Sequence, residues 1–387
     1  MRNICRNGGK SEFFLKTLLV VISTLIPLII FEIFVWFVLD YRSPHHPPRV
    51  FQIDSITGWS KKPDFEGYWY LYSDGTRSHV RNNSHGFTDR ERTFEKSKPR
   101  IALIGDSTTE FWEAEEKDRG QALMERSLDD RWEVLNMGVR GFSTDQAYLL
   151  LKHKGIAFSP DIVIYTFCIN DLHGNAKMNK PRFELAPGEP GNLVLRDFPY
   201  PFKEIRNKKP PATIGKRWEK AFYQYSFLFR KTSHLLTRHP MGLFYTEMPL
   251  QGQTELRPYK KIYSAEEQSW QDMFVALVLD MKRFLDSRGV KFLLVEGVYG
   301  NVLDPQRMAW SVDQYGDVFD PLKVTHLLDD FARQSEIPFL SLQDEVRRRG
   351  IAIGDIMHSE DYVHLNAAGI RFYSERVLEK LKSLGWV

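Results

Sequence analysis

Cysteine is scarce, with two residues in a chain of 387, and that excludes a disulfide framework. Cys5 stands ahead of a long apolar run and Cys168 closes an apolar segment. The two are expected to stay unjoined, and Cys168 reads as an inert buried thiol, not a nucleophile. Charge of one sign is also missing. The 53 basic and 50 acidic residues nearly cancel and neither gathers into long blocks, which speaks against nucleic acid as a partner. The chain has no G-x-S-x-G, so the nucleophile elbow of α/β-hydrolases is disfavoured. It has no P-loop, no G-x-G-x-x-G and no zinc-ligand spacing, so neither a cofactor nor a metal is expected. His45, His46, His326 and His358 are scattered, and surface or structural roles are their default. There is no internal repeat.

Apolar residues, by contrast, are plentiful. At 42% of the chain, with 13% aromatic, they supply a sizeable core for one large or two ordinary domains. Residues 17–39, TLLVVISTLIPLIIFEIFVWFVL, are long enough to cross a bilayer as one helix and are interrupted only by Pro27 and Glu32. The run is too long for the h-region of a cleaved signal, and no A-x-A-like site follows it. Arg2, Arg6, Lys10 and Lys16 precede it while only Arg42 and Arg49 lie close behind. The positive-inside rule then leaves residues 1–16 in the cytoplasm and the rest of the chain outside, periplasmic or extracellular. Glu32 lies within a turn or two of the outer interface, with no partner suggested in the chain.

Residues 40–98, rich in proline, aromatics and polar side chains, read as a stalk followed by short strands or turns. From residue 99 strand-like and helix-like segments alternate. Apolar strands are expected at 101–104, 132–137, 161–168, 290–296 and 337–341, with helices near 121–128, 144–154, 265–287, 321–335 and 367–384. Ser143 caps the second of these helices, Gln146 completes a capping box and Gly155 closes it. Such alternation predicts an α/β fold, a flavodoxin-like three-layer α/β/α sandwich on a parallel sheet of about five strands. A long insert at about 174–263 interrupts it. Residues 181–201 look like a hairpin and 218–236 like an amphipathic helix, and the insert is expected to cap the site.

In RIALIGDSTT, residues 100–109, an apolar run stops at Gly105, Asp106 and Ser107, as a buried parallel strand does where it opens into a loop. Ser107 is the candidate nucleophile. In flavodoxin-like order the topological switch lies between strands one and three, which end at Ser107 and at Asn170. A serine nucleophile needs a base and a donor array for the oxyanion. His364 follows Asp361 by three residues just ahead of a helix, so the carboxylate can reach Nδ1 and leave Nε2 free to take the serine proton. The oxyanion donors expected are the backbone N–H of Ser107, the backbone N–H of Gly141 and the side-chain amide of Asn170. Asp106 and Asp171 are expected to bond neighbouring loops and not to react.

Downstream of Gly-Asp-Ser come, in order, LNMGVRGFST at 135–144, FCINDL at 167–172 and DYVHLN at 361–366. The set resembles the SGNH hydrolases, the GDSL esterase/lipase family, in their membrane-anchored bacterial form, and spans residues 100–387 apart from the insert. By that resemblance Gly141 fits the second block better than Gly138. The third block usually has glycine where this chain has Cys168, a departure that bears on substrate fit more than on catalysis. NSHGFTDRE, residues 83–91, often precedes the catalytic domain in such members, and no chemistry is assigned to it. The resemblance implies a serine esterase with the triad Ser107, His364 and Asp361, acting from outside the membrane on an acyl ester, the location suggesting O-acetyl groups of envelope or secreted carbohydrate. The alternatives are an O-acyltransferase or a lipid esterase using the same site, or a non-catalytic glycan-binding scaffold.

Overall fold

A computed structural model describes residues 5–37, 50–70, 77–176, 180–186, 192–201, 255–315, 318–358 and 362–387. These fall into two compact units, one holding the helix α1 (Cys5–Phe37) and the other everything described from Val50 onward. The apolar stretch Glu12–Phe34 of α1 is 23 residues long with mean hydropathy 2.5, and its side chains are exposed. That length is sufficient to cross a bilayer. Pro27 lies inside the helix without ending it.

The second unit opens with two antiparallel hairpins, β1 (Phe51–Asp54) with β2 (Gly58–Lys61) and β3 (Glu66–Tyr70) with β4 (Arg77–Arg81). The part of the expected stalk from Val50 on is therefore folded structure within this unit. Then β5 (Arg100–Ile104) leads into the one-turn helix α2 (Ser107–Glu110), followed by α3 (Gly120–Ser127), β6 (Glu133–Asn136) and α4 (Thr144–His153). Next are β7 (Ile162–Phe167), α5 (Asn170–Gly174) and the hairpin β8 (Arg182–Leu185) with β9 (Leu193–Arg196). The long helix α6 (Ala265–Asp286) precedes β10 (Lys291–Glu296), α7 (Gly300–Leu303), α8 (Pro305–Tyr315) and α9 (Lys323–Gln334). The chain closes with β11 (Phe339–Ser341), α10 (Leu342–Arg349), α11 (Ile353–Ile356) and α12 (Ala367–Ser383).

Five strands form one parallel sheet in the order β11-β10-β7-β5-β6. Read in order of occurrence within that sheet, the expected two-one-three-four-five arrangement is present, and four strands lie within their expected segments while β5 begins one residue earlier, at Arg100. Alternate residues of β5 serve opposite cores, because side chains leave a strand on alternating faces. Ala102 and Ile104 join α4, α6 and α9 on one side, whereas Ile101 and Leu103 join α3, α10 and α12 on the other. Both faces are covered, so the central strands are apolar throughout. The capping box at Ser143 and Gln146 is formed as expected.

Of the expected insert, the hairpin at β8 and β9 is present and packs against α6, with Phe183 stacked on Tyr148 of α4 at 6.0 Å between ring centres. The expected helix at 218–236 lies outside the described residues.

Candidate active site

The register of the sheet builds the site. Ile104 lies opposite Tyr165, so β5 and β7 leave the sheet side by side and their following loops meet at its carboxyl end. Asp106 caps α2 by accepting from Thr108 N–H at 2.8 Å, which presents Ser107 as the first helical residue. The loop preceding α12 brings His364 back across the sheet. Its Nε2 lies 2.8 Å from Ser107 Oγ, a bond between residues 257 positions apart in the chain. Ser107 itself is buried, 6% exposed. Asp361 lies outside the described residues.

Asn170 opens α5 at the end of β7. Its Nδ2 donates to Asp106 Oδ2 at 3.2 Å, so a carboxylate on the serine loop orients the amide, and one amide hydrogen remains for another acceptor. The backbone N–H groups of Ser107 and Gly141 donate to no other group among the described residues. Gly141 is exposed, with φ at +79°, a conformation that suits glycine. Gly138 does a different job. A Cβ there would meet Glu110 N at 2.8 Å and Thr109 C at 2.9 Å, so its bareness lets the loop pack on α2.

Asp171 accepts from Tyr165 Oη–H at 2.6 Å and from Cys168 N–H at 3.0 Å. Both aspartates thus brace loops, as expected. Burial, followed by the charge of Asp106, pushes the Asp171 carboxyl well above its ordinary range. The Cys168 thiol is free, buried and pushed up first by burial and then by the same two carboxylates, which leaves it inert.

Neither a family model nor a curated protein matches the chain. Solved structures do match. One is an acetyl xylan esterase, 14% identical, covering 72% of this chain and 98% of that one with a TM-score of 0.38. Another is an acetylxylan esterase of Geobacillus stearothermophilus, solved as a catalytic mutant, at 15% identity, 75% and 96% coverage and a TM-score of 0.38. A third is a lipase/acylhydrolase from Enterococcus faecalis, at 12% identity, 74% and 96% coverage and a TM-score of 0.38.

Around Ser107 and His364 lies an ionic network, largely buried, that the local sequence does not announce. Arg140 Nη1 lies 3.2 Å from His364 Nε2. Its Nη2 donates to Glu113 Oε1 at 2.6 Å, and its Nε lies 3.3 Å from Glu110 Oε2. Glu110 in turn lies 3.3 Å from the ammonium of Lys61, both side chains fully buried. Lys61 Nζ also donates to Gly138 O at 2.7 Å and to Thr88 Oγ1 at 2.8 Å. Burial drives the Lys61 ammonium down to about 8 and the Glu110 carboxyl up, each opposed by the other's charge. At Glu113 burial works the same way, but Arg140 and then His364 outweigh it and hold the carboxyl below its ordinary range. The one available signal is TTEFWE at 108–113, where two carboxylates flank an aromatic pair.

Proposed function

We propose that this chain is a carboxylic ester hydrolase of the SGNH type, held at a membrane by α1, that removes acyl groups from carbohydrate, O-acetyl above all. The observation that carries the reading is the 2.8 Å contact between Ser107 Oγ and His364 Nε2, since a serine becomes nucleophilic only when a positioned base takes its proton. Arginine can only donate hydrogen bonds, so its approach to His364 Nε2 supports the tautomer in which that nitrogen is bare and ready to act as the base. Ser107 Oγ attacks the acyl carbon while its proton passes to His364 Nε2. The oxyanion is met by the N–H groups of Ser107 and Gly141 and by the Asn170 amide. His364 returns the proton to the departing alkoxide, and water then resolves the acyl-enzyme by the same steps in reverse. Asp361 is assigned the task of orienting the imidazole through Nδ1.

Outward orientation follows from the basic residues ahead of the apolar run 17–39. It places the site among envelope or secreted glycans and is the basis for preferring carbohydrate esters. An organophosphonate serine probe tests the reading. The intact protein is expected to be labelled at one serine, and Ser107→Ala to abolish labelling and ester turnover together. A Ser107→Ala protein that keeps the parent rate would withdraw the nucleophile assignment.

A further inference from the structure

Trp59, in β2, reaches the oxyanion loop from outside the parallel sheet. Its Nε1 donates to the carbonyl of Arg140 at 3.2 Å, and Phe142 meets its ring edge-on at 5.7 Å between centres. The indole is therefore held by the residues before and after Gly141. Among the described residues, a Cβ built on Gly141 would find one heavy atom within 4 Å beyond its own chain neighbours, Trp59 Cζ2 at 3.6 Å. Among the described residues the space above Gly141 is thus open and bordered on one side by the Nε1–Cζ2 edge of a half-buried indole. It adjoins the place where the ester carbonyl would sit.

We propose that Trp59 walls a subsite for the alcohol part of the substrate and takes the C–H face of a pyranose ring. This rests on the esterase reading above and narrows its substrate to carbohydrate. The described side chains in contact around the nucleophile, His364, Arg140 and Asn170, are hydrogen-bonding groups. Trp112 beneath Arg140 is fully buried and offers no open face. A half-buried indole beside hydrogen-bonding groups suits a sugar, which carries C–H bonds on one face and hydroxyls around its edge. An acyl chain wants apolar contact on every side.

The test uses the full chain in detergent, carrying Ser107→Ala so that ligand is not consumed, titrated with partially O-acetylated xylotetraose. Trp59→Ala is expected to weaken binding by about tenfold or more, the scale of one lost apolar contact, and Trp59→Phe to recover most of it. Trp59→Leu keeps apolar bulk without the flat ring and reads the same loss should the alanine variant fail to fold. Unchanged affinity in variants that keep the parent unfolding midpoint overturns the proposal. So does a larger loss for a decanoate ester than for the oligosaccharide, which would assign the subsite to a lipid chain. Failure of the wild type to turn over any ester sinks the esterase reading instead, while the titration still decides the subsite.

Discussion

Arg140 shows how a single residue can define a site. A guanidinium keeps its proton at any ordinary pH and has no acceptor, so at 3.2 Å it can only donate toward His364 Nε2. Glu110 and Glu113 hold it there. Asn170 is the other residue whose role can be isolated, because alanine removes one donor and leaves Ser107 and His364 in contact. Turnover of Asn170→Ala is expected to fall by about 10²-fold to 10³-fold, with slow labelling by the phosphonate probe retained. Steady-state kinetics on the folded variant checks this, and an unchanged rate would remove Asn170 from the oxyanion site. Lys61→Met would leave the Glu110 carboxylate buried without its ammonium. Breaking a buried pair from one side costs about 3 to 5 kcal/mol, so the urea midpoint should drop sharply. A midpoint close to the parent's would mean that Glu110 is protonated and gains little from Lys61.

Two elements do more than their length suggests. The hairpin of β1 and β2 looks peripheral, yet it sends Lys61 into the core beside Glu110 of α2 and Trp59 to the carbonyl of Arg140. At the end of β10, Glu296 is buried and accepts from Thr325 Oγ1 at 2.9 Å and from Ser341 Oγ, which ties α9 and the edge strand β11 to the sheet. Burial raises its carboxyl to about 7, against the pull of both hydroxyls and of Arg347. In the unfolded chain the group ionises near 4.3, so between those values the folded state holds more proton. Stability from this group is therefore fully present at low pH and is lost as pH rises through 7. Glu296→Gln is expected to abolish that decline, measured as unfolding midpoints from pH 5 to pH 8. A slope identical to the parent's would show that Glu296 does not titrate in this window.

At the scale of the whole molecule, the described residues form one apolar helix and one α/β unit, and the proposed reading gives attachment to the first and chemistry to the second. The basic residues ahead of the apolar run 17–39 set the expected orientation. Alkaline phosphatase fused to the carboxyl end should be active in cells, since that enzyme needs an oxidising compartment to form its disulfides. An inactive phosphatase with an active cytoplasmic reporter at the same point would reverse the topology and remove the reason for preferring envelope glycans.

Periodicity and local chemistry by themselves determined much of this protein. Buried parallel strands are apolar on both faces, so each of the five was legible as a run, and their alternation with helices set the sheet order that brings Ser107 and Asn170 together. Gly-Asp-Ser at a strand end and the histidine ahead of the last helix were legible for the same local reason. Lys61, Trp59, Glu110, Glu113 and Arg140 were not. A charged side chain in a polar stretch reads as solvated, and only the fold determines whether it is instead buried and paired. Lys61 in GWSKKPDF carries no local mark of burial. Its ammonium is taken out of water solely because β2 lies against α2, where Glu110 and the carbonyl of Gly138 receive it. The tertiary structure decided which charges surround the serine and histidine, because desolvation and pairing are properties of the assembled core and leave no period in the chain.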